Sequence, residues 1–303
     1  VLRYVVKRVG LAVLTVFIIT AITFFTMNAI PGGPFSKEKA PSEAVKAVLE
    51  ARFNLDKSVP EQYVLYLGNI LEGDFGVSIK TGRDIALTIT ESFSISARLG
   101  GMAVVVALTV GLVMGSLAAL TRNKLPDRLI IFFSTLSTAV PSFVLATLLL
   151  LVFSIQLGWI QVWSAESTNY ILPVIALSLY PMAYITRLTK SSMLDALGQD
   201  YIRTAKAKGV AQWKIIFKHA LRNALIPIIT YVGPMTAYIL TGSLVVESVF
   251  TIGGLGSKFV SGITNRDYPM IMATTIFLAT LMVIANLISD LVYKLVDPRI
   301  SFD

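Results

Sequence analysis

Few side chains in this sequence are of a type and spacing that could do covalent chemistry. Cysteine is absent, which removes disulfides, thiolate metal sites and a thiolate nucleophile. The single histidine, His219, leaves little room for a metal site or proton relay, and packing is favoured over a pH switch there. No His-Glu-x-x-His or Gly-x-Ser-x-Gly motif occurs, and the apolar stretches hold no paired acids, so an intramembrane enzyme lacks its catalytic set. Gly253-Gly-Leu-Gly-Ser-Lys258 is glycine-rich and carries a lysine, but it lacks the Gly-x4-Gly-Lys-Ser/Thr spacing that wraps a phosphate. An outer loop or gate is the better reading of it. No catalytic residue, metal site or cofactor is therefore expected on this chain.

What the chain has instead is apolar length. Hydrophobic residues make up 55% and charged residues 15%, where a soluble domain carries about 25% charged. Mean hydropathy is +0.73. Apolar runs of about 20 residues bounded by charges predict six transmembrane helices: Val9 to Ile30, Leu99 to Leu120, Leu129 to Leu157, Ile171 to Ile185, Leu225 to Val246, and Met270 to Val292. The first lies behind Arg3, Lys7 and Arg8 and reads as an uncleaved anchor. The fold class is an all-α integral membrane protein, with residues 1–303 as one transmembrane domain in a lipid bilayer. The net charge of +8 belongs to loops on one side of a membrane rather than to nucleic acid binding.

Placing both termini in the cytoplasm puts 16 of the 26 lysines and arginines inside. Most of the others lie in the outer segment, where nine acids from Glu38 to Glu91 offset them. That segment, 31–95, opens with the breaker cluster Pro31-Gly-Gly-Pro34. It then shows helical spacing at Ala44, Val45, Val48, Leu49 and Phe53 behind Ser42, and again at Tyr63, Leu67, Ile70 and Leu71.

Polar residues along the spans are candidates for a wet pathway. Span five carries Thr230, Tyr231, Thr236, Tyr238, Thr241 and Ser243, then Glu247. Span three carries Ser134, Thr135, Ser137, Thr138 and Ser142. Hydroxyls in a membrane more often satisfy backbone or a neighbouring helix, whereas carboxylates such as Glu247 and Asp290 need a partner or water. Pro141, Pro181 and Pro234 each interrupt a span and serve equally as hinges or static kinks. Gly111 and Gly115 have the spacing that lets helices approach closely.

The inner segment 187–224 is basic and helical in pattern. Periodicity predicts a helix through Lys208, a stop at Gly209 and a second helix from about Gln212. Two short helices at an angle form either a knob for a partner's groove or a surface helix on anionic headgroups. A stand-alone secondary transporter leaves this loop unexplained, has few buried charges to use, and shows no visible inverted repeat.

The loop resembles the motif of ATP-binding-cassette importer membrane subunits, Glu-Ala-Ala-x3-Gly-x9-Ile-x-Leu-Pro. With Gly209 as anchor, the alanines fall on Thr204 and Ala205, the glutamate on Arg203, and the last three places on His219, Leu221 and Arg222. Asp200-Tyr-Ile-Arg-Thr-Ala-Lys-Ala-Lys-Gly209, followed by His219-Ala-Leu-Arg-Asn-Ala-Leu-Ile-Pro227, is similar to the peptide-importer branch. So are Pro31-Gly-Gly-Pro-Phe35, Gly73-Asp-Phe-Gly76, Val140-Pro-Ser-Phe143, Thr241-Gly-Ser243, Gly253-Gly-Leu-Gly256, Thr264-Asn-Arg-Asp-Tyr268 and Asp297-Pro-Arg-Ile300. The chain is thereby identified as resembling the B-type membrane subunit of the oligopeptide/dipeptide permease family. The resemblance implies a type I importer membrane domain in a bacterial cytoplasmic (inner) membrane, crossed several times. It implies a second homologous permease subunit, two ATP-binding subunits that hold ATP and Mg, and an extracytoplasmic peptide-binding protein docked by segment 31–95. It makes 187–224 the coupling loop, with Asp200, Tyr201, Arg203, Thr204, Ala205, Lys208 and Gly209 facing the ATPase. Arg203 replaces the family glutamate, so an ion pair there needs an acidic partner. Related branches carry dipeptides, glutathione or nickel.

Overall fold

The structure is a computed structural model and describes residues 2–31, 54–164, 166–241 and 243–296. The helix expected over 42–53, most of the Pro31–Phe35 cluster, Gly242, Asp297–Ile300 and the side chain of Asp290 lie outside them. Among the described residues the chain is helical, with one isolated antiparallel bridge between Val77 and Asp84.

The helices are α1 (Leu2–Ala29), α2 (Val59–Leu71), α3 (Ile85–Leu120), α4 (Leu125–Ala139) and α5 (Ser142–Leu149), which continues as a π-helix over Leu150–Gln156. Then come α6 (Ile171–Leu197), α7 (Asp200–Ala207) and α8 (Gln212–Lys214), followed by a π-helical stretch, Ile215–Leu221, that leads into α9 (Arg222–Leu240). The last are α10 (Leu244–Val249), α11 (Leu255–Asn265) and α12 (Tyr268–Val296).

Five stretches are long and apolar enough to cross a bilayer, within α1, α3, α6, Gln212–Val249 and α12. A sixth results if Leu125–Ala139 and Ser142–Gln156, bent by 105°, count as one. The bend has a local cause. Pro141 has no N–H to donate and disfavours the helical region for the residue before it, and Val140 is extended at φ −88°, ψ 130°. Pro181 and Pro234 instead lie inside continuous helices. One boundary moves from the sequence expectation, since the helix of the second span begins at Ile85 rather than Leu99. The fourth apolar run is short for a span, and its helix extends into the polar flank as far as Leu197. At 36 residues α3 is about 54 Å long, well beyond a hydrocarbon layer of about 30 Å.

The chain divides into two compact units, residues 1–95 with 253–283 and residues 96–252 with 284–303. In the first, Phe24 and Met27 of α1 pack with Tyr63 of α2 and Tyr268, Ile271 and Met272 of α12. Ile85 and Ile89 pack with Leu255, Met270 and Ala273. Most apolar side chains of α1, such as Val6, Val13 and Ile22, are largely exposed among the described residues, as contact with acyl chains would require. At the start of α2, Ser58 gives its N–H and its hydroxyl to Glu61 at 3.1 and 2.8 Å. These bonds hold the Glu61 carboxyl below the usual carboxylate range, so the cap weakens as pH falls through that lowered value. A second fastening is buried Asp267, which accepts from Ser78 Oγ at 2.5 Å and from the Ile79 N–H at 3.1 Å. Its neighbour Arg266 turns left-handed at φ +55° and donates to the Pro31 carbonyl at 3.0 Å.

In the second unit α6 is the central element, packed against α4, α5 and α9. Hydrocarbon gives no hydrophobic drive between spans, so close contact must supply the attraction. Gly111 and Gly115 of α3 supply it. A Cβ on Gly111 would sit 2.8 Å from Ile185 Cγ2, and one on Gly115 would sit 2.5 Å from the Thr186 carbonyl and Thr189 Cβ. Near the far end of α6, Lys190 Nζ lies 2.5 Å from Asp127 Oδ1 of α4, and Asp127 Oδ2 accepts the Asn123 N–H at 2.9 Å.

Gly115→Ala should therefore overpack the α3–α6 seam and cost about 1–3 kcal/mol. Gly101→Ala meets nothing within 4 Å and should be neutral. Melting curves of the purified protein in detergent, followed by size exclusion, read the difference. Equal curves for the two variants would contradict the seam.

Candidate functional site

Two places in the second unit gather the polar residues singled out by sequence. The first is the loop after α6. Helix α7 ends in a Schellman motif: the Gly209 N–H reaches the Lys206 carbonyl at 3.0 Å and the Val210 N–H reaches Ala205 at 3.1 Å. Gly209 sits at φ +70° with open space where a side chain would go, so its role there is conformational rather than steric. The loop then re-enters helix at Gln212. Ile202 and Ala205 turn inward and pack with Met193, Ala196, Ile215, Ala220 and Ala224. Burying an isoleucine is worth about 1.5–3 kcal/mol, so the loop is held as a solid piece rather than a flexible strand.

Of the seven residues expected to face a partner, Asp200, Tyr201, Arg203, Thr204, Lys208 and Gly209 are exposed, and Ala205 is buried at 8%. Ala205 thus belongs to the inside of the knob, because the helical repeat puts it on the same face as Ile202. Arg203 Nη1 lies 3.2 Å from Asp200 Oδ1, a fully solvated pair that contributes little. Tyr201 is oriented by Asn223, whose Nδ2 donates to its hydroxyl at 3.0 Å and to the His219 carbonyl at 2.9 Å. His219 itself is half-buried in the π-helical stretch.

The second place is a cleft of about 740 Å³ bounded by α4, the bend at Pro141, α6, α9 and α10. Pro141, Pro181 and Pro234 all line it, so the three span-breaking prolines converge on one space. Of the span-five candidates, Tyr231, Tyr238 and Ser243 line it, and Thr138 and Ser142 join from span three. The other four candidates do not. Thr230 is exposed and bonds the Ile226 carbonyl at 3.0 Å, and buried Thr241 bonds the Tyr238 carbonyl at 2.7 Å. Thr236 lines a separate apolar groove with Leu108, Val232 and Ile288. Glu247 is fully buried and accepts from Ser96 Oγ at 2.7 Å, so it ties α10 to α3. Thr230 and Thr241 share a physical reason: in hydrocarbon a hydroxyl returns to the carbonyl three or four residues back.

The sequence reading missed Tyr180 and Tyr184. Tyr180 lines the cleft, and the Tyr184 ring stacks on Tyr231 with centroids 4.2 Å apart. The available signal was tyrosine at i and i+4 on either side of Pro181. The lining carries no charged side chain. Among the described residues no group of histidine or acidic side chains is arranged to hold a metal. Gly253–Lys258 simply enters α11, with Gly254 preceding its first turn.

The inner membrane component of binding-protein-dependent transport systems matches residues 111–302, and the N-terminal model of the same class of membrane component matches residues 1–100. The dipeptide transport system permease protein of Bacillus subtilis is 46% identical over 99% of this chain and 98% of its own length. The oligopeptide transport system permease protein of Haemophilus influenzae is 42% identical over 99% and 100%. That of Escherichia coli K12 is 38% identical over the same shares. Among solved structures, the methionine ABC transporter MetNI in inward-facing conformations superposes on 70% of this chain and 97% of its own chain. Its TM-score is 0.57 at 14% identity, which speaks to the fold alone. An amino acid ABC transporter solved with histidines covers 69% and 94%, with a TM-score of 0.52 at 20% identity. The chain belongs to the inner membrane component family of binding-protein-dependent transport systems.

Proposed function

We propose that this chain forms the transmembrane pathway of an ATP-driven importer of short peptides and carries the loop through which ATPase movement reaches that pathway. The observation that supports it most is the loop after α6, a self-packed knob with a closed helix end and an exposed polar face. A secondary transporter needs no such object. Relatives similar over nearly the whole chain are named for dipeptide and for oligopeptide transport, which favours short peptides over glutathione or nickel.

In this reading the chain sits in the bacterial cytoplasmic membrane with both termini inside. It pairs with a homologous permease subunit, receives peptide from an extracytoplasmic binding protein, and docks one of two ATP-binding subunits at the loop. ATP and Mg stay on those subunits. Asp200, Tyr201, Arg203, Thr204 and Lys208 form the docking face, and Gly209 sets its angle. Tyr231, Tyr238 and Ser243 border the pathway.

Three measurements test this. Mild-detergent purification of the tagged chain from its host should recover two ATPases and a second six-span subunit. Recovery of the chain alone in several detergents would favour the secondary transporter. Gly209→Val, which forces a branched side chain into the left-handed region, should cut peptide uptake at least about tenfold with the subunits still co-purifying. Unchanged uptake would remove the loop from the mechanism. Because the chain lacks cysteine, single cysteines are clean probes of sidedness. A cysteine at Lys206 should react with an impermeant maleimide only from the cytoplasmic face and one at Gly68 only from outside, and the reverse pattern would invert the topology.

A further inference from the structure

Beside the tyrosine-lined cleft stands a cation that nothing among the described residues neutralises. Arg187 is half-buried and its Nη1 donates to Thr138 Oγ1 at 3.3 Å, yet it makes no ion pair among the described residues. Thr138 lines the cleft, so a guanidinium nitrogen stands within hydrogen-bond reach of the wall. The next cation on the helix, Lys190, shows how a structural charge is handled here, paired with Asp127 at 2.5 Å. Positions 180, 184 and 187 share one face of α6, which aligns Tyr180, Tyr184 and Arg187 in a row, with Tyr231 stacked on its middle member.

A guanidinium drawn partly out of water without an anion is costly, and such a residue in a membrane helix is best explained by the ligand that completes it. Its fork of donors matches a carboxylate in two places. The rest of the cleft offers neutral contacts: tyrosine hydroxyls, and the Leu177 carbonyl, whose usual donor four residues on is replaced by Pro181.

We propose that Arg187 with the tyrosine row is a binding site for the terminal carboxylate of an extended substrate lying in this cleft. Resting on the peptide-importer reading, it places the free C-terminus of the peptide at Arg187 and leaves the peptide side chains against an uncharged wall. The pathway then reads the end of the chain rather than its sequence.

The test uses the complete transporter in liposomes, with its binding protein saturated in turn by trialanine and by trialanine amide. Wild type should carry the free acid about tenfold faster than the amide, and Arg187→Gln should bring that ratio to about one. Arg187→Lys should retain part of the preference. A ratio that stays the same in Arg187→Gln, with both rates lowered together or neither changed, would overturn the site and leave Arg187 as a headgroup anchor. If Arg187→Gln fails to assemble, a trialanine derivative with a photoreactive group at its C-terminal end should label wild-type protein within residues 180–190, and labelling confined elsewhere is equally fatal. Wild type that moves no peptide at all defeats the importer reading itself, an outcome distinct from loss of the ratio alone.

Discussion

Every helix end leaves backbone groups that must find a hydrogen bond outside the helix ladder, and this chain is shaped by how it meets that demand where helices stop. Three corners use the same device. After Ala207, after Val249 and after Asn265, a residue turns left-handed and the next N–H reaches back five residues: Val210 to Ala205, Ile252 to Glu247, and Asp267 to Gly262. Glycine does this without strain at 209, whereas Thr251 and Arg266 do it at a cost of roughly 1–2 kcal/mol each. The cost is offset by what the turn delivers. Fully buried Ile252 follows Thr251, and the Asp267 fastening follows Arg266. Where proline breaks the ladder instead, the freed space becomes the cleft.

The two candidate places share one helix. Helix α6 carries Tyr180, Tyr184 and Arg187 in its middle, is pinned to α4 through Lys190, and ends in Met193 and Ala196, which form part of the loop's own core. The knob and the cleft wall are therefore consecutive stretches of the same rod. No flexible linker separates them, since Gly198 to Gln199 is a turn whose N–H groups bond back onto the end of α6. The exposed face of α7 is thus backed directly by α6, with Ile202 and Ala205 packed on Met193 and Ala196.

Much of this was legible in the amino-acid sequence, and for particular reasons. The spans announced themselves by apolar length, and the loop's break at Gly209 by the residue type that a left-handed turn prefers. Gly111 and Gly115 were read correctly as a packing seam because their spacing has one common use in membrane helices. The corners at Thr251 and Arg266 were not legible, because neither residue type signals a positive φ. Nor was the position of Glu247, since a carboxylate at the end of an apolar run looks the same whether it faces water or Ser96. The hydroxyls of span five divided by which face of the helix met α6, information held by the neighbouring helix rather than by the span. The two π-helical stretches have no sequence signature, and they change which residues share a face in their neighbourhood.

The bend at Val140–Pro141 and the Asp127–Lys190 pair lie at opposite ends of α4. That makes α4 an arm of about 22 Å fastened at one end and sharply bent at the other. A rotation of about 10° about the fastened end would displace the bend by about 4 Å, comparable to the thickness of an extended polypeptide backbone. The geometry of α4 is therefore that of a lever: a small rotation near Asp127 would be magnified at the proline end, where Thr138, Ala139 and Pro141 border the cleft.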